Sequence, residues 1–126
     1  MDRFTALDQY GLVLMKYTHE SQKAAEQFSQ AIALAPERLK SSDAEWAYVY
    51  WHRAAVEQQL GKNADAEKDF GVAENSLHEA EKAIGDERIA AYYHDLLSGV
   101  VKRHVALLEG ENKHDEAQHV LANFGP

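Results

Sequence analysis

Apolar side chains return every three or four residues along most of this chain, and the stripes they form predict six helices. Phe4, Leu7, Tyr10 or Gly11, Leu14 and Tyr17 recur at helical spacing, giving a first helix over about residues 3–18. A turn holding His19 and Ser21 leads to a second, about 21–35, with Ala24, Phe28, Ala31 and Leu34 on one side. Pro36 is expected to end it, because the residue before a proline is pushed out of helical geometry. Ser41 or Ser42, with Glu45 at capping-box spacing, opens a third helix over about 43–60. Gly61, suited to the left-handed cap, closes it. The fourth stripe is Ala66, Phe70, Ala73, Leu77, Ala80 and Ile84, over about 63–84. The fifth helix, about 86–109, carries Ile89, Tyr93, Leu96, Val100 and Leu107. After Gly110 or Asn112 a short sixth, about 113–123, shows Ala117, Leu121 and Phe124. Links this short force consecutive helices to lie antiparallel, so the chain reads as three helical hairpins.

Composition supports an all-α fold. Alanine is heavily used, and Pro36 and Pro126 are the two prolines; alanine costs least side-chain entropy in a helix. At 126 residues the chain fits one domain with a real core. The net charge of -8 argues against nucleic acid, which needs a basic face to displace counterions, and against an anionic membrane surface. With no cysteine there is neither disulfide nor thiolate chemistry. The apolar patch from Gly11 to Met15 is too short and polar for a secretion signal or a membrane span. A cytoplasmic protein is the expectation.

The second stripe returns. Ala24-x3-Phe28-x2-Ala31 recurs as Ala66-x3-Phe70-x2-Ala73 and, more weakly, as Ala117-x3-Leu121-x2-Phe124. Gly61 stands five residues ahead of Ala66, and Asn112 five ahead of Ala117. Together with Arg53-Ala54, Leu60-Gly61 and Asp69-Phe70, this pattern resembles the tetratricopeptide repeat, a helix–turn–helix unit of ~34 residues. The resemblance covers nearly the whole chain as repeats of about 3–37, 43–84 and 86–124, the third degenerate. The copies lie further apart than the family's period, so the middle helices should be longer than its norm. The small residues Gly11 or Leu12, Ala24, Ala31, Ala54, Gly61, Ala66, Ala73 and Ala117 would let backbones approach. Phe28, Phe70 and Leu121 would fill the space between neighbouring hairpins.

The resemblance implies a right-handed superhelical stack whose first helices line a concave face that takes a peptide or a partner helix. Carried over residue by residue, that face is Gln9, Leu12, Val13 and Lys16, then Tyr48, Trp51, His52, Ala55 and Gln59, then Lys102, Arg103 and Ala106. The stretch Trp46 to Arg53 is the most pointed feature. Its four aromatics cannot all face one core, since successive helical residues step ~100° around the axis. The clamp for a C-terminal carboxylate found in some members is incomplete, with His52 and Gly99 at two of its positions. Arg53 and Asp69 stand where the repeat carries an Arg and an Asp on facing helices, so the resemblance implies a structural ion pair between them.

Catalytic chemistry finds little support. His114 and His119 are not at the spacing that puts two imidazoles on one helix face, and the histidines read as solvated or capping. Asp65 with Glu67 and Glu79 with Glu81 read as a solvated face. No catalytic residue, metal or cofactor is assigned, and the expected function is that of an adaptor for a protein or peptide. A helical-bundle enzyme or carrier using histidines with Tyr92 and Tyr93 is the rival, and a purely structural scaffold is a third reading. The apolar Val120, Leu121 and Phe124 in the last helix point to self-association there.

Overall fold

The structure, a computed structural model, describes residues 2–124. It is all-α: α1 (Arg3–Lys16), α2 (Ser21–Arg38), α3 (Ala44–Gln59), α4 (Asn63–Ala83), α5 (Glu87–Gly110) and α6 (His114–Phe124), with no strand among the described residues. Each helix packs mainly on the one before and after it in sequence, and α1 also touches α3. There is accordingly no single shared centre. One core cluster joins Phe4, Leu14, Ala24, Phe28, Ala31 and Ala35 to Val49 and Val56 of α3. A second joins Ala47 and Ala54 of α3 to Phe70, Ala73 and Leu77 of α4 and to Leu97, Val100 and Leu107 of α5. Tyr50 packs against both.

The three hairpin turns are closed in related ways, the second and third alike and the first with one extra residue. In the second and third, the backbone N–H of Lys62 reaches Glu57 O at 2.8 Å and that of Lys113 reaches Leu108 O at 2.9 Å. In the first, the N–H of Glu20 reaches Leu14 O at 3.0 Å, one residue further back. Each turn holds one left-handed residue: His19 (φ 55°), Gly61 (φ 75°) and Asn112 (φ 61°). Four residues after each closing donor stands the alanine of the repeat, and Ala24, Ala66 and Ala117 are all fully buried. The extra residue in the first turn decides between Gly11 and Leu12. Gly11 is buried, and a Cβ on it would lie 2.5 Å from Phe28 Cε1, whereas Leu12 is half-buried.

Two local expectations are corrected. Helix α2 does not stop before Pro36 but runs through it to Arg38, and Leu39 then turns extended (φ -130°, ψ 154°). A proline this near the end removes one backbone bond yet leaves its own φ compatible with helix. The Ser42–Glu45 capping box does not form. Asp43 is the N-cap of α3, and its carboxylate accepts from the backbone N–H of Lys40 at 2.8 Å instead of capping the helix. Asp2 and Asp86, by contrast, do cap α1 and α5 through their side chains.

Candidate protein-interaction surface

Helix α3 lies between α1 and α5, and two side-chain links cross it on one face. Asp8 of α1 and Nδ1 of His52 on α3 are 2.8 Å apart. Tyr48, one turn earlier on α3, has its phenol beside that of Tyr92 of α5. Burial foremost, and then the neighbouring Tyr92 phenol, push the Tyr48 phenol well above its usual range. Between the two links stands Trp51, half-buried, its ring stacked on His52 with centroids 6.4 Å apart. His52 in turn packs on Phe28 at 5.6 Å. Beside Tyr48, an open cleft of about 410 Å³ is lined by Leu39, Asp43, Ala44, Glu45 and Tyr93.

The crowded run from Trp46 to Arg53 divides as helical geometry demands. Trp46 stacks on Tyr50 at 5.9 Å and packs into the first cluster. Trp51 leans on the second cluster, so it is partly core and partly surface. Tyr48 remains half-exposed beside α5. Of the other expected surface residues, Gln9, Lys16, Lys102, Arg103 and Ala106 are exposed, Leu12 is half-buried and Ala55 is buried. Gln59 is exposed but engaged, accepting from the Ser21 hydroxyl at 2.9 Å and so tying α3 to α2. Val13 is 45% exposed. It stands just before Leu14, the carbonyl that closes the first turn, as Val56 and Leu107 stand before theirs. Those two residues are buried against the preceding hairpin, whereas Val13 faces solvent.

The Arg53–Asp69 pair is present and bidentate, Nε to Oδ2 at 2.7 Å and Nη2 to Oδ1 at 2.9 Å. Nη1 of Arg53 also donates to the Ser29 hydroxyl at 3.3 Å, across to the first hairpin. Next to it lies Glu57, 9% exposed, with Oε1 buried and unpartnered and Oε2 3.9 Å from Arg53 Nε. Burial foremost, then the Asp69 carboxylate, push the Glu57 carboxyl up to about 8 against the opposing pull of Arg53. Composition and periodicity gave no sign of this acid.

The reading of the histidines as solvated or capping fails at His104. It is 7% exposed, stacks on Phe70 at 5.6 Å, and its Nδ1 lies 3.0 Å from both oxygens of the fully buried Glu74. The signal was there: Glu74 falls between Ala73 and Leu77 on the apolar side of α4, where a lone charge needs a partner. Asp8 and Tyr92 were also missed as surface residues, Asp8 because the first turn's extra residue shifts its register. Glu67 is half-buried and receives Lys113 Nζ at 3.2 Å, while Glu81 meets His94 Nδ1 at 3.1 Å. That second pair lines an open cleft of about 450 Å³ with His78, Lys82, Asn123 and Phe124. Among the described residues no group of three or more His, Cys, Asp or Glu is placed to hold a metal ion, and no helix is long and apolar enough to cross a membrane.

No protein-family model, curated protein or solved structure matches the chain.

Proposed function

We propose that this chain is a non-enzymatic interaction module of the tetratricopeptide kind. In this reading it is a right-handed stack of three hairpins that binds a peptide or helix of a partner protein in the cytoplasm. The observation that carries the reading is the pair of contacts, Asp8 with His52 at 2.8 Å and Tyr48 beside Tyr92, by which α1 and α5 both approach the same side of α3. Sequential packing and two core clusters instead of one support a stack. So does the recurrence, in all three hairpins, of a left-handed turn residue five positions ahead of a fully buried alanine.

The face offers what a peptide groove needs. Tyr48, Trp51 and His52 are half-exposed and held by neighbours, so they lose little freedom on binding; aromatic side chains of this sort are the usual anchors of an interface. Exposed Lys102 and Arg103 supply positive charge on α5 in an otherwise acidic protein, favouring a partner segment with a carboxylate near the Trp51 anchor. The test is a selection from a random peptide library, followed by titration of the enriched peptides against wild type, Trp51→Ala and Lys102→Glu. Enriched peptides should weaken at least about tenfold against Trp51→Ala, equivalent to one hot-spot contact. Failure to enrich any peptide, or equal binding by both variants, would overturn the reading.

A further inference from the structure

The junction between hairpins is built twice inside the chain. In α3, counting back from the carbonyl of Glu57 that closes the turn, Val56, Arg53 and Val49 stand one, four and eight residues earlier. In α5, counting from Leu108, the same places hold Leu107, His104 and Val100. These residues face the preceding hairpin. Val49 and Val56 are fully buried in the cluster with Phe28, and Arg53 donates to Ser29 of α2. Val100 and Leu107 are buried with Phe70, and His104 lies on Phe70 and Glu74 of α4. The receiving side is equally regular. Phe28 and Phe70 stand eight residues after the closing donors Glu20 and Lys62, and both are fully buried.

One copy of each half is left open. In α1 the same three places, counted from Leu14, hold Val13, Tyr10 and Ala6. Val13 is 45% and Tyr10 48% exposed, and Ala6 is exposed too. In α6 the place eight residues after Lys113 holds Leu121, 38% exposed where its counterparts show nothing to solvent. Tyr17, 77% exposed, extends the α1 stripe by one turn. The unfilled face of α1 is thus the half that α3 and α5 present, and that of α6 is the half that α2 and α4 present.

We propose that a second copy of this chain covers these faces, the α1 stripe of one molecule seating on the Leu121 face of α6 of the next and continuing the α2–α3 and α4–α5 junctions. The occupant follows from that continuity: the two open surfaces are the complementary halves of an interface the fold already makes twice. Such a contact is head-to-tail, and it does not close on itself after one addition. It stands on the junction geometry alone, independent of any peptide bound across α1, α3 and α5.

The test uses light scattering over a concentration series with Val13→Glu and Leu121→Glu, both at positions open enough to fold, as circular dichroism would verify. Wild type should rise above twice its 14.2 kDa mass as concentration increases. Each variant alone should stay at 14.2 kDa, because each keeps only one half of the junction. An equimolar mixture should form a one-to-one dimer that grows no further, from the intact α6 of Val13→Glu and the intact α1 of Leu121→Glu. Should Val13→Glu unfold, Tyr10→Glu replaces it. Wild type remaining a monomer throughout would overturn the proposal. So would association abolished by one variant and untouched by the other, the signature of α1 on α1 or α6 on α6, or a mixture that stays monomeric.

Discussion

Gly11 and Phe28 leave no room for a methyl group between them. A Cβ on Gly11 would stand 2.5 Å from Cε1 and 2.9 Å from Cδ1 and Cζ of the phenyl ring. That ring is fully buried and also packs against His52, 5.6 Å away between centroids. The α1–α2 hairpin is therefore as close as it is because this one position lacks a side chain.

Gly11→Ala should destabilise the protein by about 1–3 kcal/mol, the usual cost of overpacking, against a gain of ~1 kcal/mol in helix propensity. Adding Phe28→Leu should return part of the loss, since the two changes share one space. Urea denaturation of the two single variants and the pair would check both the sign and the coupling.

The matching places Phe28, Phe70 and Leu121 should differ sharply when truncated. Phe28→Ala and Phe70→Ala each empty a fully buried site and should cost about 3–5 kcal/mol. Leu121→Ala, at a site 38% exposed, should cost below about 1.5 kcal/mol in dilute monomer. Chemical denaturation of the three variants at low concentration measures the ranking, and a large loss at Leu121 would contradict it.

Glu57 should make stability fall as pH rises. Its carboxyl, raised from 4.5 to about 8, keeps a proton in the folded protein that the unfolded chain releases above about 4.5. The stabilisation is complete below that lower value, declines between the two, and is gone above about 8. Glu57→Gln should flatten that decline and raise the melting temperature by several degrees at pH 8.5, with little gain near pH 5. Melting curves of both proteins across this range provide the comparison.

Arg53→Lys should cost about 1–3 kcal/mol although the charge is kept, because an ammonium cannot make both bonds to Asp69 or reach Ser29 at once. Thermal denaturation at pH 7 reads the loss. An unchanged midpoint would mean that charge alone, and not the planar fork, holds α3 to α4.

Much of the fold could be read from residues that repeat. The alanine–phenylalanine spacing at 24 and 66, with its weaker alanine–leucine copy at 117, located the hairpins, and the resemblance to the repeat set Arg53 opposite Asp69. What escaped was set by events between elements. Periodicity cannot count the residues in a turn, so the extra one before Ser21 left Gly11 and Leu12 in competition and hid Asp8. Pro36 misled because the bias on its neighbour is a preference that two further helical residues could outweigh. Glu57 was illegible as a site because burial of a charge depends on which helix lies opposite, and that is a tertiary matter; Glu74 could be seen beside the apolar stripe of α4, but for the same reason its partner His104 could not.

The division of the interior into two apolar parcels joined through Tyr50 bears on how the molecule opens. Amides of α1 can exchange with solvent by peeling the first parcel alone, while those of α4 and α5 stay protected behind the second. A ligand gripping α1 together with α3 would bind only the closed form and so slow that peeling. Occupancy would then be written in the exchange rates of a helix end remote from α5, giving a partner a way to stiffen one half of the molecule while leaving the other half as it was.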